Sequence, residues 1–115
     1  MEKIKISIYA IIGDSLCIAA EDGNKVYEQI KTALLKKKKV NISFLNIEML
    51  TSAFLNTAIG RIYGEFEDKY IKSSLTVSDI SDEDKLLLKR VIETAKNYYK
   101  DPDQFEKSIK KIMEA

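Results

Sequence analysis

Thr51 and Ser52 stand between the apolar run Val40, Ile42, Phe44, Leu45 and a stretch whose apolar residues recur at helical spacing. A hydroxyl at a helix N-terminus lies beside unpaired backbone N–H groups and the positive end of the helix dipole. It can therefore cap the helix, or carry a phosphate where negative charge is favoured. Capping is the commoner use of the two residue types. Asp14 and Ser15 follow Gly13 in a turn, and Glu48 precedes the Thr51 turn, so these three can reach the same end of the domain. Each also reads as an ordinary solvated loop residue.

Other chemistry is narrowed by what the chain lacks. It has no histidine and one cysteine, which removes His–carboxylate dyads, Ser-His-Asp and Cys-His nucleophiles, and Cys/His zinc sites. No carboxylate, Tyr or Lys pair stands out by spacing, so no enzyme, metal or cofactor is expected. Cys17, in the apolar context Leu16-Cys17-Ile18, reads as a small buried hydrophobe. Lys plus Arg number 19 against 18 acids, a net charge of +1, and neither nucleic acid nor anionic lipid is indicated as a partner. Lys36 to Lys39 fall where a helix ends, and there cations suit the exposed carbonyls. No apolar run approaches the ~20 residues of a membrane span, and the short N-terminal run is unlike a signal peptide, so a cytoplasmic location is expected.

The elements that must position these residues follow from periodicity. Ile4, Ile6 and Ile8 alternate with Lys3, Lys5 and Ser7, which predicts a strand over Lys3 to Ala10, and Leu16 to Ala19 is a candidate second strand pairing back as a hairpin. Val26, Tyr27, Ile30, Ala33 and Leu34 define the buried stripe of a helix over Glu21 to Lys37. The Val40 to Leu45 strand, with helices on both sides in sequence, is placed parallel and near the middle of the sheet. A helix over Phe54, Leu55, Ala58, Ile59, Ile62 and Tyr63 ends at Gly64, and Leu75 to Val77 is a further strand. Ser81 caps a helix running to Tyr98 and Tyr99, which like Tyr63 and Tyr70 read as core-edge aromatics. Asp101-Pro102 opens a last helix with Phe105, Ile109, Ile112 and Met113 on one side. The fold class is α/β: one small domain over 1–115, a core of 1–100 and a helical extension of 101–115. Its central mixed or mostly parallel sheet has about four strands flanked by helices.

The runs AAEDGNKVYEQIKTAL, KKVNISFLNIEMLTSAFLNTAIGRIYGEF and LTVSDISDEDKLLLKRVIETAKNYY together resemble the STAS-like domain of unknown function found in bacteria and archaea, most specifically in TSAFLNTAIG, Thr51 to Gly60. That family is similar to the STAS domains of anti-sigma-factor antagonists and sulfate transporters. The resemblance implies a regulatory protein-interaction role, with a histidine-kinase-like ATPase that phosphorylates a Ser or Thr at a helix start as the partner. Antagonists carry an Asp-Ser-Ser-Gly-like turn there. Here Leu50 takes the Asp place, Thr51 the phosphoacceptor place, Ser52 the next hydroxyl and Ala53 the Gly place. Two further readings stay open. One is a nucleotide or small-anion binder using the same helix N-terminus. The other is a homo-oligomer packed through Phe105, Ile109 and Ile112.

Overall fold

A computed structural model describes residues 3–100; the expected final helix with its apolar stripe lies outside them. Strand β1, Lys3–Ser7, alternates as expected but stops short of Ala10. Ser7 caps a short helix, α1, Ile8–Ile12, by accepting from the Ala10 N–H at 3.1 Å, and Ile8 turns fully into the core. Gly13, at φ 75°, closes that helix in the left-handed conformation a glycine adopts without strain.

The chain continues through β2 (Leu16–Cys17), α2 (Ala20–Leu35), β3 (Lys39–Ser43), β4 (Met49–Leu50) and α3 (Ser52–Ala58). A 3₁₀ turn follows over Gly60–Gly64, then α4 (Asp68–Ser74), β5 (Leu75–Ser78) and α5 (Asp82–Lys100). The main sheet has the order β1-β3-β5 with every pairing parallel, so β3 is central as its apolar pattern requires. Register aligns Ile4 with Val40 and Leu75, and Ile6 with Ile42 and Val77, which puts these residues on one face. The helices pack on that face. The other carries Lys3, Lys5, Lys39, Asn41 and Thr76, and Asn41 Nδ2 donates to Thr76 Oγ1 at 2.9 Å across the strands.

The expected hairpin between Leu16 to Ala19 and the first strand is not formed. Helix α1 and the Gly13 turn carry the chain off the main sheet, and Asp14 Oδ1 fixes the exit by accepting from the Leu16 N–H at 3.0 Å. β2 then pairs parallel with β4, so the expected sheet of about four strands is instead one of three and one of two. The segment Asn46 to Leu50, which by sequence reads as a turn leading to Thr51, is correspondingly part strand, with β4 at its end. The helix expected to run unbroken to Gly64 leaves α geometry at Ile59 (φ −121°) and tightens into the 3₁₀ turn. Helix α4, which buries only Ile71 and Ser74, has no counterpart in the sequence reading.

Helix α2 buries Val26, Tyr27, Ile30, Ala33 and Leu34, the stripe its spacing predicts, against the sheet and α3. Helix α5 buries Leu88, Val91 and Ala95 against α3 and the 3₁₀ turn. Ser81 Oγ accepts from the Asp84 N–H at 3.2 Å, the expected cap, with Asp82, Glu83 and Asp84 in the first turn. Tyr27 ties α2 to the 3₁₀ turn: its hydroxyl donates to Glu65 at 3.0 Å, and the Arg61 guanidinium stacks 4.0 Å from its ring centre while donating to Asn24 at 2.9 Å.

Candidate functional site

The two-residue strands β2 and β4 are short, but they decide where the candidate site lies. Pairing of Leu16 with Met49 and Cys17 with Leu50 brings the chain just after β2 against the start of α3. Thr51 N–H donates to the Cys17 carbonyl at 3.2 Å, and Thr51 Oγ1 donates to the Ile18 carbonyl at 2.7 Å. The same Oγ1 accepts from the Phe54 N–H at 3.1 Å, so Thr51 caps α3 and fastens it to β2 at once. Its hydroxyl has both donor and acceptor engaged. Ser52, the first residue of the helix, is exposed.

The neighbouring residues singled out from sequence meet at the other end of the same two strands. Ser15 Oγ donates to Glu48 Oε2 at 3.2 Å, and the Ser15 carbonyl accepts from the Glu48 and Met49 N–H groups at 2.9 and 3.3 Å. Asp14 turns its carboxylate onto the Leu16 N–H. Asp14, Ser15 and Glu48 therefore form one loop cluster, separated from Thr51 by the length of β2. What joins the two ends is a row of side chains that the sequence reading did not single out. Leu16 is 42%, Ile18 46% and Met49 50% exposed, while Cys17 between them is fully buried. Leu45 and Tyr9 extend the exposed apolar set, so five of the nine large exposed hydrophobics among the described residues come from Tyr9 to Ile18 and Leu45 to Met49. The signal was present as alternation, but two residues of strand do not reveal which face is outward.

Beneath this surface the Cys17 thiol is pushed up to about 11, first by burial and then by the charges of Asp22 and Asp14, so it is protonated and inert at neutral pH. An unfolded thiol ionises near 9.0, so between that value and about 11 the folded chain holds more protons than the unfolded one. This contribution to stability is complete below pH 9 and is lost as pH rises toward 11. Burial also raises Tyr27 and Tyr63 above 10.0, which acts in the same direction. Urea midpoints followed from neutral to alkaline pH should fall for the native chain and fall less steeply for Cys17→Ala. Identical slopes would place Cys17 in contact with solvent.

Among the described residues no group of three or more His, Cys, Asp or Glu is arranged to hold a metal ion, and no helix is long and apolar enough to cross a membrane. The polar groups at the carboxyl ends of the main strands are taken up internally. Ser7 caps α1, Ser43 donates to Asp79 at 2.8 Å, and Ser78 donates to Asn41 at 2.8 Å.

The family model described as a STAS-like domain of unknown function matches residues 22–85, from the first turn of α2 into the first turn of α5. The matched span contains Glu48, Thr51 and Ser52, whereas Asp14 and Ser15 precede it. No curated protein and no solved structure matches the chain. With more than half its length matched, and with a parallel sheet and helices arranged around the Thr51 turn, the chain belongs to the family of STAS-like domains of unknown function.

Proposed function

We propose that the protein is a non-catalytic regulatory module that binds a partner protein at the surface made by β2, β4 and the first turn of α3. The observation that carries this reading is the contiguity of exposed Leu16, Ile18 and Met49 with the α3 N-terminus. Single exposed apolar residues are ordinary on a protein surface. A clustered row beside exposed polar groups is the composition of an interface, with apolar anchors at the centre and Glu48, Ser15 and Ser52 at the rim. The family resemblance supports a cytoplasmic histidine-kinase-like ATPase as the partner. If such a partner phosphorylates the turn, Ser52 is the acceptor this reading favours, because the Thr51 hydroxyl already serves α3 and the Ile18 carbonyl. The same occupied Phe54 N–H makes a nucleotide or small anion the weaker reading of this helix terminus.

The test uses a purified histidine-kinase-like ATPase from the same organism. Leu16→Asp with Met49→Asp should weaken binding by about 30-fold or more, the scale of losing one interface anchor. The two carboxylates face each other across β2 and β4, which costs about 1 kcal/mol of folding stability, so binding is compared at a temperature where circular dichroism shows the variant fully folded. After incubation with the ATPase and ATP, intact mass should show one added phosphate that Ser52→Ala abolishes. Undiminished binding by the double variant would overturn the interface, and phosphate mapped to Thr51 would overturn the assignment to Ser52.

A further inference from the structure

The main sheet has two outer strands, β1 and β5, and they differ in charge. Among the described residues β1 pairs only with β3, so the backbone N–H and C=O groups along its outer side have no strand partner. Beside that edge runs a groove of about 280 Å³, lined by Ile4 and Ile6 of β1 and by Gln29, Thr32 and Ala33 of α2. No residue of β3 lines it, which places it at the outer margin of the sheet. Its charged lining is one acid, Glu28, against Lys36 and Lys38. On the opposite, open face β1 presents Lys3 and Lys5, both exposed, with Lys39 in register beside Lys3. Neither Lys3 nor Lys5 is paired with a carboxylate among the described residues. The other edge, β5, reads Leu75-Thr76-Val77-Ser78 and carries no charge.

We propose that β1 takes up an extended segment of a partner protein as an added strand, and that this segment alternates acidic with apolar residues. Strand addition satisfies the free backbone groups of the edge, and the side chains of the added strand point alternately to the two faces of the sheet. Those faces call for different chemistry. Towards α2, side chains of the added strand meet Ile4, Ile6 and Ala33 and leave water. On the open face they stand beside Lys3 and Lys5, where an acid gains a cross-strand ion pair and a basic residue is repelled. A second copy of the chain is a poor occupant for the same reason. Antiparallel self-pairing centred on Lys5 sets that residue against its own copy, and pairing centred on Ile4 sets Lys3 against Lys5. Nucleic acid or an anionic membrane would meet the lysines but leave the apolar groove and the backbone edge unused. The edge therefore selects by sign and by periodicity together. It shares no residue with the β2–β4 surface and does not rest on the reading given to that surface.

The test measures binding of the full chain to fluorescein-labelled synthetic peptides by anisotropy. A peptide alternating valine with glutamate should bind, and Lys3→Glu with Lys5→Glu should weaken it about tenfold or more, since two attractive cross-strand pairs become repulsive. A peptide alternating valine with lysine should bind the reversed chain better than the native one, which also shows that the reversed chain is folded. A peptide alternating serine with glutamate should bind the native chain about tenfold more weakly than the valine–glutamate peptide, because nothing apolar enters the groove. In hydrogen exchange, saturating valine–glutamate peptide should slow amides of β1 and leave those of β5 unchanged. Equal binding of the serine and valine peptides would overturn the proposal, reducing the face to general attraction for polyanions. An equal loss of affinity from Lys89→Glu with Arg90→Glu, the same charge change at exposed positions on α5, would overturn it too. So would unchanged exchange at β1. Slowing of β1 exchange as the chain alone is concentrated would also overturn it, making a second copy the occupant.

Discussion

Phe54→Ala should cost about 3–5 kcal/mol, a large share of the roughly 5–15 kcal/mol that holds a domain of this size folded. Phe54 is fully buried in the first turn of α3, its N–H is the one Thr51 caps, and its carbonyl faces α2 at Gly23. Removing the ring therefore opens a cavity directly beneath the candidate site. The urea midpoint should drop without a large change in m-value, because the same surface is exposed on unfolding. Leu86→Ala, at a position 62% exposed on α5, should move it by no more than about 0.5 kcal/mol. A Phe54→Ala cost below about 1 kcal/mol would mean that the first turn of α3 is not anchored in the core. The site would then be a loop rather than a surface held by packing. In the folded variant, the amide of Phe54 should exchange faster, as the Thr51 cap loses its backing.

What the sequence showed and hid divides by the range of the interactions. Helix α2 was legible because Val26, Tyr27, Ile30, Ala33 and Leu34 repeat over several turns, and the central place of β3 followed from its apolar run between helices. Ser81 and Thr51 were legible as caps because a cap is a contact with a residue three positions on. The second bond of Thr51, to the Ile18 carbonyl, joins residues 33 apart, and no local pattern announces it. The same separation links Ser15 to Glu48. Strands of two residues such as β2 and β4 have no measurable period, so Leu16 and Met49 gave no indication that they face outward. Helix α4 was missed because only Ile71 and Ser74 of its seven residues are buried, too few for a stripe. The end of β1 was misplaced because Ile8 continues the strand's alternation while Ser7 is already acting as a helix cap. Its apolar character satisfies either conformation.

Gly23→Ala offers a test in which the sign of the effect decides the argument. In an exposed helix interior, alanine in place of glycine stabilises by up to about 1 kcal/mol, since glycine has more backbone freedom to lose on folding. Gly23 sits within α2 and is buried. A Cβ there would lie 2.5 Å from the Phe54 carbonyl oxygen, 3.0 Å from Thr57 Cβ and 3.2 Å from the Ala58 nitrogen. Two of these three neighbours are backbone atoms of α3 and cannot swing aside as a side chain would. The two helices must separate, and the separation reaches the turn of α3 that carries Thr51 and Ser52. The expected outcome is a loss of about 1–3 kcal/mol, the usual cost of overpacking, read as a melting temperature lower by about 4–15 °C. An increase in melting temperature would show that α2 and α3 are farther apart than this contact requires. Partner binding adds a second readout: if close packing at Gly23 sets the position of the α3 N-terminus against β2, Gly23→Ala should weaken binding at temperatures where it remains folded. An equally destabilising change at Val91, on the α5 side of α3, should weaken it less.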